Sequence, residues 1–114
     1  IAVKIPVIGS VLTNLALSRL TTVLSILLNA GVDAVRSVQM AFSSTGNDYY
    51  ISRSDLAISQ IKKNQSLAKS FTACGVMPQE FIDAIEVGEL SGNETESLDA
   101  LATEYDRRAK SALT

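Results

Sequence analysis

Along most of the chain apolar side chains return every three or four positions, and nowhere do they keep the two-residue rhythm of a strand. Leu12, Leu15, Ala16, Leu20, Val23, Leu24 and Leu27 line one face of a first helix, which Ser10 is placed to cap and which runs to about Asn29. Val11, Leu17, Ile26 and Leu28 make the other side apolar too, so this helix belongs in the middle of a bundle or against a partner. Asn29-Ala30-Gly31 ends it. Asp33 caps a second helix carrying Val35, Val38 and Phe42 to about Ser44. After the turn residues Ser44-Thr45-Gly46-Asn47, Asp48 caps a third, with Ile51, Ile58 and Ile61 expected inward and Arg53, Asp55, Lys62 and Lys63 outward. Ser66 caps a short fourth helix with Leu67, Phe71 and Cys74 in line, and Gly75 closes it.

The stretch Met77 to Leu98 predicts a fifth helix, a tight corner and the start of a sixth. Pro78 suits a first helical turn, because its missing N–H is one that a helix start leaves unpaired. Phe81, Ile85 and Gly88 fall at i, i+4 and i+7, so the apolar face ends in a residue without a side chain. Glycine inside a helix costs about 1 kcal/mol relative to alanine, which makes sense where another backbone passes close by. Gly92 stands where a helix needs a left-handed residue to stop, Asn93 is placed to cap the next helix, and Glu89 is a single carboxylate at the corner. Leu98, Leu101, Ala102, Tyr105, Ala109 and Ala112 share one face of the sixth helix. Its first turns hold Glu94, Glu96 and Asp99 and its last hold Arg107, Arg108 and Lys110, the polarity the helix dipole favours. Ile1 to Gly9 reads as an extended lead-in, because Pro6 disfavours helix before it and Gly9 interrupts the pattern. The expected fold is all-α: one compact six-helix bundle over 1–114, with a long C-terminal helix.

Composition narrows the functions open to such a bundle. The chain has 114 residues, enough for one domain, with ten basic and twelve acidic side chains. The net charge of −2 argues against nucleic acid as the main partner, which calls for a cationic face. Cys74 is alone, so no disulfide forms within the chain, and a lone thiol on a helix is expected as a small buried hydrophobe. The uncharged run near the start, Leu20 to Val32, falls short of the ~20 residues that cross a bilayer, so no segment is expected to span a membrane by itself. With no histidine there is no imidazole base, ordinary triad or zinc site of usual composition, and no phosphate-binding glycine loop occurs. The expectation is a protein that performs no catalysis.

Two features point to binding. The first helix carries more apolar surface than one stripe needs, at Val11, Leu17, Leu24 and Leu28, so a second copy is expected to cover them as a dimer. The acidic set Glu86, Glu89, Glu94, Glu96 and Asp99 offers hard oxygen ligands, though not at the spacing of a calcium loop. Glu89 alternatively accepts backbone N–H bonds at the start of the following helix, or pairs with a neighbour's cation.

The segment Pro78 to Leu98, with V-G-E-L-S-G at its centre, resembles the most characteristic part of the inner-membrane platform family. That family comprises general secretion pathway protein F of type II secretion and its type IV pilus counterparts. Its pattern is a proline, an apolar helix, G-E-x-S/T-G and a long final helix. Ile5-Pro6-Val7-Ile8-Gly9 resembles the lead-in before the second cytoplasmic repeat, Leu27 to Val32 the L-L-x-x-G-V segment, and Asn64 to Leu67 the G-x-S-L segment. Asn64 stands where the family usually has glycine. Asn93-Glu94-Thr95 departs from a pattern ending in aspartate, so no role of that aspartate carries over.

The resemblance implies a cytoplasmic scaffold domain at the bacterial inner membrane, with transmembrane helices outside this chain. Its expected partners are the assembly ATPase and other secretion or pilus components, including pilin subunits. Pro78, Gly88, Glu89 and Gly92 form the expected partner-binding or structural motif. Some members hold calcium through the glutamate of G-E-x-S/T-G, which carries onto Glu89 alone. The alternatives are a free-standing helical adaptor and a calcium-responsive regulatory module.

Overall fold

The computed structural model describes residues 4–111. Six helices follow one another: α1 Lys4–Asn29, α2 Ala34–Ser44, α3 Asp48–Lys62, α4 Leu67–Cys74, α5 Gln79–Ser91 and α6 Glu94–Ser111, with no strand among the described residues. Each packs against its neighbours in sequence, and α6 returns along α1 to close the ring. Inside it, Leu17, Leu20 and Leu24 of α1 meet a file of aromatic rings, one from each of four other helices. Phe42 lies 6.1 Å from Phe71, Phe71 5.9 Å from Phe81, and Phe81 5.8 Å from Tyr105, all tilted or edge-on as ring quadrupoles prefer.

The corners explain why the chain turns where it does. At the end of α1, Val32 N–H reaches Leu27 O and Gly31 N–H reaches Leu28 O, with Gly31 at φ +86°. The same pair of bonds recurs after α3 (Gln65 to Gln60, Asn64 to Ile61) and after α5 (Asn93 to Gly88, Gly92 to Glu89). This double closure satisfies the last carbonyls of a helix and demands a left-handed residue. Asn64, at φ +63°, is the one non-glycine in that region among the described residues, and asparagine tolerates it best.

Several expectations change in the folded chain. Positions 4–9 of the proposed lead-in are helical, and Ser10 lies within α1 rather than at its cap; positions 1–3 lie outside the described residues. Pro6 is the third residue of α1, where its missing N–H has no carbonyl to meet and its fixed φ suits a helix. Asn47, not Asp48, caps α3, accepting the Tyr49 N–H at 3.0 Å. Pro78 is the extended residue before α5, which starts at Gln79. On α3 the core takes Tyr50, Ala57 and Ile61, leaving Ile51 exposed and Ile58 half-buried. Asp33 and Ser66 cap α2 and α4 as expected. Ala112, expected on the α6 stripe, lies outside the described residues.

The buried face of α1 differs most from its apolar pattern. Val11, Leu17 and Leu24, offered as surface for a second copy, are buried, and Leu28 is half-buried. Leu12 and Ile26 are exposed instead. Small polar residues occupy buried positions: Ser18 Oγ donates to Ala102 O at 3.1 Å, and Ser25 Oγ donates to Asp99 Oδ1 at 2.6 Å. Seven residues apart on one face, they hold α1 to α6. The stretch Val11–Asn29, 19 residues of mean hydropathy 1.6, is long and apolar enough to cross a membrane by length and composition. That corrects the expectation that no segment reaches this length. Arg19 bounds the uncharged run Leu20 to Val32, but it is a single exposed charge within the longer apolar stretch.

Candidate functional site

The G-E-L-S-G corner is built around Glu89. Its side chain leaves the last turn of α5 and reaches the N-terminus of α4, where Oε2 accepts the Leu67 N–H at 2.7 Å and Oε1 accepts the Ala68 N–H at 3.0 Å. Ser66 Oγ takes the next donor, Lys69 N–H, at 3.1 Å, and Ser66 O takes Ser70 N–H at 2.9 Å. The amides of Leu67, Ala68 and Lys69, which the helix cannot satisfy internally, are thus all paired, and Ser70 makes the first bond of the regular ladder. A carboxylate in the last turn of its own helix is disfavoured by that helix's dipole. The positive end of α4 offsets this, because a carboxylate accepting two N–H bonds gains charge-assisted strength. Glu89 therefore serves the helix before its own rather than the one after it, which was one of the alternatives offered by the sequence.

Gly88, the next residue inward, is buried against α6. A Cβ built there would lie 2.7 Å from Ser97 Cβ and in contact with Ser97 Oγ, with Asn93 O at 3.3 Å. The close passage inferred from the glycine is the start of α6. Gly92 at φ +78° makes the turn between them, and Pro78 marks the entrance to α5. The four motif residues act on three separate contacts and do not converge on one cavity.

The acidic set is also dispersed. Glu89 is spent on α4 and Asp99 accepts from Ser25 of α1, while Glu86, Glu94 and Glu96 are exposed. Among the described residues no three metal-ligating side chains gather. Both oxygens of Glu89 already accept helix amides, and among the described residues no group of ligating side chains gathers around it, so calcium binding is not expected at this corner. Calcium titration is expected to leave the melting temperature unchanged; a rise at millimolar calcium would reverse that assignment.

A second polar group, which sequence reasoning missed, joins α5 to the end of α6. Arg108 donates to Glu80 Oε1 at 2.6 Å and to Glu104 Oε2 at 2.8 Å, and its guanidinium lies 4.8 Å from the Tyr105 ring centre. Arg107 adds a 2.7 Å bond to Glu104. Hydrogen bonds from Arg107 and Arg108 hold the Glu104 carboxyl down to about 2. Glu80 is lowered by its bonds from Arg108 and Tyr105. Burial first, then the 3.1 Å hydrogen bond to Glu80, pushes the Tyr105 hydroxyl up to about 12. The i, i+4 spacing of Glu104 and Arg108 was legible; the reach to Glu80 was not. Arg53, expected outward, likewise turns in, its Nε donating to Cys74 O at 2.9 Å at the C-terminal end of α4. Cys74 is fully buried, and burial pushes its thiol up.

Tyr105 gives the fold an alkaline limit. Its folded value is raised, so its contribution is present in full below about pH 10, the unfolded value, and is lost as pH rises toward about 12. Urea midpoints measured across that range are expected to fall. Tyr105→Phe should flatten part of the fall, and an unchanged slope would remove Tyr105 as its source.

These contacts fix one fold around one corner, and comparison with known proteins identifies the corner's family. The family described as type II secretion system (T2SS), protein F matches residues 20–114. The chain belongs to that family. A type II secretion system protein F of Aeromonas hydrophila is 28% identical over 107 residues, covering 94% of this chain and 28% of the relative. The type IV pilus assembly protein PilC of Pseudomonas aeruginosa is 29% identical over 114 residues, covering 96% of this chain and 29% of the relative. The chain thus spans under a third of the length of these two relatives. No solved structure matches it.

Proposed function

We propose that this chain is a non-enzymatic scaffold domain of a platform protein, on the cytoplasmic face of a bacterial inner membrane. It couples an assembly ATPase to the building of a pilus or pseudopilus from pilin subunits. The observation that carries this reading is the family match across residues 20–114, shared by a secretion protein and a pilus-assembly protein. The structure supports it in kind. The groups with the largest shifts from ordinary ionisation, Glu104, Tyr105 and Arg108, are tied to one another or to Glu80 in ion pairs and hydrogen bonds. Buried contacts set the shape, and what remains for function is surface.

Retention of the cognate assembly ATPase on the immobilised chain tests the coupling. Glu86→Lys alters an exposed charge without touching the Glu89 clasp, and it is expected to reduce retention. An ATPase that fails to bind at high micromolar concentration would sink the proposal. A dimer belongs to the same reading, through Leu12 and Ile26 of α1 rather than the leucines inside the bundle.

A further inference from the structure

The outer surface of α5 and α6 carries an open groove of about 500 Å³. Half-buried Ala84, buried Leu101 and exposed Ala100 floor it, Val87 rises along one side, and Asp83 and Glu104 mark one end. Val87 is 63% exposed and Leu90, one turn further along α5, is 84% exposed, so apolar surface continues out of the groove. Burying two such side chains contributes about 1.5–3 kcal/mol each, so water is a poor occupant for them. Between two antiparallel helices, a floor of alanines lets a third helix approach closely.

The charge around the groove selects among helices. Nine of the twelve acidic side chains lie in residues 79–106, and that stretch contains no lysine or arginine. Glu104 is neutralised by Arg107 and Arg108. Asp83, Glu86 and Glu96 form no ion pair among the described residues, and the bond from Gln79 leaves the Asp83 charge in place. An acidic helix laid here would meet like charge at the groove's edge, whereas a cationic one would be steered to it.

We infer that the α5–α6 groove docks a basic amphipathic helix of a partner protein, with apolar residues at i, i+3, i+4 and i+7 entering beside Val87 and Leu90 and flanking Lys or Arg meeting Asp83, Glu86 and Glu96. This goes beyond the coupling role and is measured on the chain alone, so either can fail without the other. The probe is a fluorescent synthetic 18-residue helix with leucine at those positions and lysine between them. Its counterparts carry glutamate for lysine, or the same residues in scrambled order.

Anisotropy titration is expected to show the lysine helix binding, weakening with salt, and amide shifts confined to α5 and α6. Val87→Ser and Ala100→Gln, both at exposed positions, should each weaken binding about tenfold or more with the melting temperature held. Glu86→Gln should weaken it and flatten the salt dependence. Leu56→Ser, on the exposed face of α3, should leave it unchanged. Equal binding of the glutamate or scrambled peptide would overturn the inference, as would shifts centred elsewhere or full affinity in Val87→Ser. A concentration-dependent dimer that Val87→Ser dissolves would give the groove to a second copy and overturn it too.

Discussion

Replacing Glu89 by alanine is expected to lower the stability of the chain by about 2–3 kcal/mol, although the side chain is only half-buried. The loss has two parts. Two charge-assisted bonds to Leu67 and Ala68 disappear, and two amides of buried residues are left without their acceptor. Water can reach part of the site, which keeps the figure below that for two fully buried donors. Against a total stability of about 5–15 kcal/mol for a domain of ordinary stability, this is a large fraction. Glu89→Gln should cost less, because its amide oxygen still accepts one bond while its NH₂ faces the other donor.

Exposed Glu86, one turn earlier on α5, is the control, and Glu86→Ala should fall within about 0.5 kcal/mol of the parent. Urea denaturation gives the magnitudes. Hydrogen exchange gives the location, since protection should drop first at the Leu67 and Ala68 amides. If Glu89→Ala and Glu86→Ala prove equally mild, the clasp contributes nothing and the corner's rigidity has another source.

Gly88→Ala is the second large effect, and its sign runs against helix propensity. Alanine should gain about 1 kcal/mol inside α5 by propensity alone. The new methyl, however, would sit 2.7 Å from Ser97 Cβ, so α6 must shift or the corner open. Overpacking of this kind costs about 1–3 kcal/mol, occasionally more. Because two backbones meet here, with Asn93 O also close, the upper end applies, and a net loss of about 1–2 kcal/mol remains. Ser97→Gly in the same chain removes the obstructing Cβ and should recover part of that loss despite its own propensity cost. A double-mutant cycle measures the coupling. Additive effects of the two changes would show that Gly88 is not there to admit Ser97.

Both predictions concern residues named by sequence alone, yet neither effect could be sized from sequence. Local rules sufficed for the helices and their ends, because periodicity, capping side chains and left-handed corners act within a few residues. Asp33, Ser66, Gly31, Gly75 and Gly92 sit where their chemistry placed them. The same rules located Phe42, Phe71, Phe81, Leu98 and Tyr105 inside, since a moderately polar helix shows which face is dry. They failed on α1 and α3. On α1 nearly every face is apolar, so hydrophobicity carries no direction; the turn that faces α6 is chosen by Ser18 and Ser25, whose acceptors lie 84 and 74 residues away. On α3 Ile51 is exposed and Ile58 only half-buried against the core, while Tyr50 and Ala57 are buried, because the neighbouring helices decide which side of α3 is covered.

The corner divides the same way. Sequence placed a carboxylate between two glycines, which confines it to the turn from α5 to α6. Which helix end it would reach was a question of packing: α4 and α5 lie side by side, and that brings the Leu67 and Ala68 amides 22 and 21 residues back within its grasp. Arg108 is a parallel case, its i, i+4 bond to Glu104 written in the sequence and its bond to Glu80 made only where α5 and α6 run antiparallel. Charge and periodicity along a chain fix what each helix carries; the directions in which those groups are spent are settled when the ring of helices closes.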